Sequence, residues 1–180
     1  MLVLVAIVAA LAGIGASPLS GDAVDTPAAD AQLAMASEPV AMATASLTLS
    51  AEQALLELTN ADRVQNGLAP LQLDGLTLGL ARERATSQLS MPSLTHYDAT
   101  GQLAFVRLLQ AAGVEYQLAG ENLARAAGVD VAVTRRVEEA LMRSPTHRKN
   151  ILEQSFTRVA IGAAVDGDGR IAFAEIFRAE

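Results

Sequence analysis

Near its C-terminus the chain reads RVAIGAAV (residues 158–165), then DGDG, then RIAFAEIF (residues 170–177). Two short apolar runs about an Asp-Gly turn predict a β-hairpin. What precedes it has a different period. Leu55, Leu58 and Ala61 lie at helical spacing behind Ser50 and Gln53, which read as a capping box, and Asn66-Gly67 ends the run. A second helix is expected from Gly75 to Ser90, with the stripe Leu78, Ala81, Ala85 and Leu89, stopped by Pro92. A third runs from Gln102 to Ala112, carries Phe105 and Leu108, and ends at Gly113. A fourth, Val129 to Arg143, carries Val133, Val137, Ala140 and Leu141, with Pro145 just past its end. About four helices followed by a hairpin exclude a repeating parallel-sheet pattern and point to α+β.

The helices and hairpin occupy residues 50–180, enough for one domain with its own core. Before them, residues 18–49 are mostly Ala, Ser, Pro, Thr, Met and Asp without Lys, Arg or an aromatic, the composition of a flexible linker. Residues 1–17 begin with an uncharged apolar run followed by small residues. That pattern reads as a signal peptide or an uncleaved anchor, shorter than the roughly 20 apolar residues of a spanning helix. The domain is therefore expected outside the cytoplasm: secreted, periplasmic or bound to the envelope. Any membrane contact would run through that first segment.

All 13 Lys and Arg lie after residue 50, against 16 acids there, a balance of −3. Such a surface gives no footprint for nucleic acid. The absence of Cys removes a thiol nucleophile and a Cys-type zinc site. DGDG resembles the start of a calcium loop, but Arg170 stands at the next ligand position and no Glu follows at the required spacing.

Chemistry-bearing residues collect in stretches that read as irregular: His96 in LTHYD, Glu121 in AGENLA, and His147 in SPTHR. Two imidazoles and a carboxylate can supply three ligands to a divalent metal such as zinc, or serve as acid and base. They are equally consistent with hydrogen-bonded loop residues, since no local metal motif spaces them.

Taken in order, NADRVQNGLAPLQLD, THYDATG, AGENLA, SPTHRKNIL and FTRVAIGAAVDGDGRIAFAEIF resemble the CAP superfamily. These are the secreted cysteine-rich secretory, antigen 5 and pathogenesis-related proteins. The resemblance spans about Ser50 to Phe177 and implies an α-β-α sandwich with a central cleft. It also implies that His96, Glu121 and His147 line that cleft and can hold a divalent metal such as Zn2+. The family's fourth cleft residue, an acid five positions after the first His, falls here on Gly101, and Asp98 is at the wrong spacing.

Asn122 and Asn150 read as structural amides that satisfy loop backbone. Arg148 is either a clamp for a carboxylate or a solvated charge. Glu175 shares a face with Ile171, Phe173 and Phe177, so a cleft-floor partner of a histidine is expected there. The function expected is a non-enzymatic binding module for an envelope component, a peptide or a lipid. The alternative is a metal-assisted hydrolase with Glu121, His96 and His147 as its catalytic set. No Gly-x-Ser-x-Gly elbow supports a serine hydrolase.

Overall fold

The computed structural model describes residues 3–9 and 31–180, with side chains from Ala41 onward. Its elements in order are β1 (Val3–Ala9), α1 (Ala31–Gln65), β2 (Gln72–Leu73), α2 (Leu78–Ser90), α3 (Ala104–Ala111), β3 (Leu118–Ala127), α4 (Val131–Arg143), α5 (Pro145–Ile151), β4 (Arg158–Val165) and β5 (Arg170–Ala179). The sheet order is β1-β3-β5-β4-β2. All neighbours are antiparallel except the short parallel β2–β4 pair.

The hairpin forms as the Asp-Gly signal predicts. Asp166 accepts from the backbone N–H of Asp168 and Arg170 and pairs with the Arg170 guanidinium, and Gly169 supplies the positive φ that closes the turn. Alternation along β5 then builds the layers. Ile171, Phe173 and Phe177 face Leu55, Val133, Val137, Leu141 and Ile151 of α1, α4 and α5. Ala174 and Ile176 face α2 and α3 through Ala81, Ala85, Phe105 and Leu109. A sheet between two helix layers is the α-β-α arrangement expected.

Three local expectations change. Ser50 does not begin a helix: it lies inside α1, and its hydroxyl donates to the Ser46 carbonyl. Ala-rich residues 31–49, read from composition as linker, form the first part of α1, since Ala pays least to enter a helix. The buried stripe of α1 is Ala51, Leu55, Thr59 and Arg63, not Leu58 and Ala61. Residues 18–30 and the small residues that end the first apolar run lie outside the described residues. Among the described residues no helix is long and apolar enough to cross a membrane.

One glycine sets a layer distance. A Cβ on Gly162 of β4 would sit 2.2 Å from the Ala81 and Arg82 backbone of α2. Only hydrogen fits, so α2 rides directly on the sheet. That close approach aims the next turn of α2 at β3.

Candidate functional site

His96 lies on the loop between α2 and α3, and that loop is fastened at several points. The Arg125 guanidinium donates to the carbonyls of Gln88, Met91 and Pro92. Gln88 Oε1 accepts from the Thr95 N–H, and Arg84 donates to the Thr95 carbonyl at 2.8 Å. The other two residues are not in loops. Glu121 is in the middle of β3, and His147 is the third residue of α5. Pro145, expected just past the end of α4, starts α5, where a missing N–H costs nothing, and Ser144 both ends α4 and caps α5. His147 Nδ1 meets Ser144 Oγ at 2.7 Å within that cap.

At the centre is a buried Arg–Glu–His group. Arg84 Nε donates to Glu121 Oε1 at 2.7 Å and Arg84 Nη2 to Oε2 at 3.1 Å. His96 Nδ1 lies 2.6 Å from Oε2. Glu121 is fully buried and the other two nearly so. A carboxylate this deep survives only because the guanidinium fork compensates it. With Arg84 marking Glu121 as the acceptor, His96 Nδ1 donates to it, which leaves Nε2 as the ring's other nitrogen. That Nε2 is buried and has no hydrogen-bond partner among the described residues.

These residues do not fit a three-ligand metal site. Both Glu121 oxygens are engaged, so the carboxylate orients His96 instead of standing beside it as a donor. Among the described residues no three His, Asp or Glu side chains come together as a metal-holding group.

Below this lies a polar chain. Asn122 Nδ2 donates to Glu175 Oε2 at 2.9 Å and reaches the His147 carbonyl at 3.4 Å. Asn150 Nδ2 donates to Asn122 Oδ1 at 2.9 Å and to the Glu121 carbonyl at 3.3 Å. The two amides thus tie α5 to β3, and Gly120 leaves room for Asn150, whose side chain would lie 3.4 Å from a Cβ there. Glu175 is under the site but reaches no imidazole directly; it holds Asn122, which holds the His147 backbone.

The far end of the chain forces a proton onto a carboxyl group. Thr59 Oγ1 is 3.1 Å from Glu175 Oε1 and 3.2 Å from Glu138 Oε2. One hydroxyl proton cannot serve two acceptors, so one carboxyl must donate back to Thr59. Asn122 bonds the other Glu175 oxygen, so the geometry admits either carboxyl as that donor, and the titration trend assigns it to Glu138. Burial, then the nearby Glu175 and Asp62 carboxyls, push Glu138 up to about 10, while burial raises Glu175 to about 7 against the opposing Asn122 and Thr59 bonds.

Arg148 is on the exposed side of α5 and, among the described residues, reaches only Asn66 Oδ1, at 3.4 Å. It is a solvated charge. Asp98 caps its own loop, accepting from the N–H groups of Thr100 and Gln102 and from the Thr100 hydroxyl, and pairs with Arg107. Gly101, where the family resemblance would put a fourth acid, has φ +78°, a backbone state that disfavours any side chain.

Sequence reading missed Arg84, Thr59 and Glu138. Each has a visible signal: a polar residue on a stripe otherwise destined for the core. Arg84 lies among Ala81, Ala85 and Gln88, Thr59 four residues after Leu55, and Glu138 beside Val137 and Leu141.

The geometry can be set beside known proteins. A model of the CAP family, the cysteine-rich secretory proteins, matches residues 56–177. YkwD of Bacillus subtilis, an uncharacterized protein, is 34% identical over 116 residues, covering 64% of this chain and 43% of its own. An extracellular protein containing an SCP domain from Bacillus anthracis superposes with TM-score 0.60 at 28% identity, over 74% of this chain and 41% of that one. An outer surface protein of Borrelia burgdorferi shares the fold at TM-score 0.60 and 19% identity, over 73% of this chain and 93% of its own. The chain thus spans less than half of the two bacillar relatives.

Proposed function

Because the chain belongs to the cysteine-rich secretory protein (CAP) family, we propose that it is an extracytoplasmic binding module rather than an enzyme. Its cleft, between the 91–103 loop, β3 and α5, would engage an envelope component through His96, with His147 on the facing helix.

The observation that carries this reading is the Arg84–Glu121 fork. A carboxylate that is to activate water, alone or on a metal, needs a free oxygen near the reacting atom. Glu121 has both oxygens committed, one of them to Arg84 and the other to Arg84 and His96 together. The arrangement therefore supports a fixed imidazole that recognises, through its one unpartnered nitrogen, more than a group that turns over substrate. The extracellular description of the B. anthracis relative and the apolar start of this chain support the location.

The test follows both imidazoles by NMR while muropeptides, apolar peptides and lipid vesicles are added in turn. Movement of the His96 and His147 rings with one class is expected. Movement with none would remove the binding reading. Cleavage of a peptide or of peptidoglycan that is lost in His96→Asn would replace it with catalysis. Stoichiometric zinc uptake at neutral pH that is lost in Glu121→Gln would place Glu121 in a metal's coordination sphere and undo the argument above.

A further inference from the structure

We propose that the outer edge of β3 is a strand-addition site, which takes an extended apolar peptide segment antiparallel to Ala119–Arg125. In this chain β1 is its occupant. The proposal deepens the cleft reading above by naming the ligand class, and rests on it.

β3 pairs with β5 along all ten of its residues, from Leu118↔Ala179 to Ala127↔Arg170. Its other edge pairs with β1 over seven, from Val3↔Arg125 to Ala9↔Ala119. The register sets Ile7 opposite Glu121 and Ala6 opposite Asn122, and β1 lies against α5. An added strand therefore runs through the cleft, between the Glu121 backbone and the helix that carries His147.

One feature marks this edge as an acceptor: β3 lacks the usual guards of an exposed edge, which are Lys, Pro, a bulge or an outward charge. Its two charged residues are both engaged elsewhere: Glu121 with Arg84 and His96, Arg125 with the carbonyls that end α2. What remains along 119–124 is Ala119, Gly120, Asn122, Leu123 and Ala124, small or inward-facing residues that let a second backbone approach. Main-chain hydrogen bonds supply the affinity in such a site, and alternate side chains the selectivity. The segment VLVAIVA shows the class accepted: small and β-branched apolar residues in extended form. Where the first 17 residues, read as a signal peptide or an uncleaved anchor, are removed on export, the edge is left for a partner's segment.

The experiment is residue-resolved amide exchange of the full chain. With β1 in place, β3 amides on both edges are protected. In the double variant Ala6→Pro/Ile7→Pro, every second β3 amide is expected to lose protection, because one of two consecutive residues must point its N–H at β3. The single prolines act as a control on folding: one should be tolerated and the other should open the edge. A peptide of residues 3–9 with lysines at both ends, added to the double variant, should restore protection to the same amides. Exchange-exposed β3 amides in the wild type, two single prolines of equal effect, or no restoration by the peptide would each overturn the proposal. If the peptide protects β3 while both imidazole rings stay unshifted, the edge holds and the cleft reading falls. Shifted rings with unprotected β3 amides give the reverse.

Discussion

Glu138→Gln is expected to make the folded chain more stable than the wild type at pH 8 and nearly equal to it at pH 5. The acid at Glu138 is held neutral by burial, then by the like charge of Glu175 and Asp62, against the opposing Thr59 bond. An ordinary Glu ionises near 4.5, whereas this one is pushed up to about 10. Between those values the native state holds a proton that the unfolded chain has lost, so stability falls as pH rises. Each pH unit costs about 1.4 kcal/mol per proton held in this way. From pH 5 to 8 Glu138 alone then removes about 4 kcal/mol, a large share of the roughly 5–15 kcal/mol typical of a domain. Glu175, raised to about 7, steepens the lower part of that window. The depressed carboxylates Asp74, Asp166, Glu153 and Glu180 act on the other side: their stabilisation is present above the unfolded value and is lost only on acidification. They leave the window above pH 5 clear. Glutamine keeps an N–H for the Thr59 oxygen and never ionises, so its profile should be flatter. Urea melts of wild type and variant at four pH values between 5 and 8 give the slopes. A flat wild-type profile, or a variant with the wild-type slope, would refute the proton assignment.

Arg84→Met should cost about 3–5 kcal/mol, the range for orphaning a buried charge, and urea melts with His96 shifts should show Glu121 and the 91–96 loop released together. Arg84→Lys should recover only part of this, since an ammonium cannot reproduce the fork. Gly162→Ala should lose about 3 kcal/mol or fail to fold, because its Cβ meets α2 backbone and not a movable side chain; thermal melting reads this directly. Arg148→Ala should stay within about 0.5 kcal/mol of wild type by the same measurement, as a solvated surface charge does.

The layers of this fold were legible because periodicity reports burial. The α4 stripe and the β5 alternation both name the residues that meet in the core. Helix α5 was not legible: seven residues hold too few turns for a stripe, and a proline after a helix signals an end as readily as a new start. The family motifs brought His96, Glu121 and His147 to neighbouring elements, but not their chemistry. Whether Glu121 faces a metal or an arginine depends on how closely α2 lies on the sheet, and that is set by Gly162, far away in sequence. Arg84 itself reads as a surface charge until its neighbours Ala81 and Ala85 are seen to be buried.

Ser144 carries a consequence for how this protein tolerates change in length. One residue closes α4 and opens α5, so the two helices share a joint with no spare chain. A single insertion there would turn everything after it by about 100°, the angle of one helical residue, and swing His147 off β3. The 91–103 loop, though fastened by Arg84, Gln88 and Arg125, presents the other imidazole on chain that crosses no helix axis. Among descendants of such a sequence, insertions and deletions should accumulate on the His96 side of the cleft, while the spacing from Leu141 to Asn150 stays invariant even where the residues themselves drift.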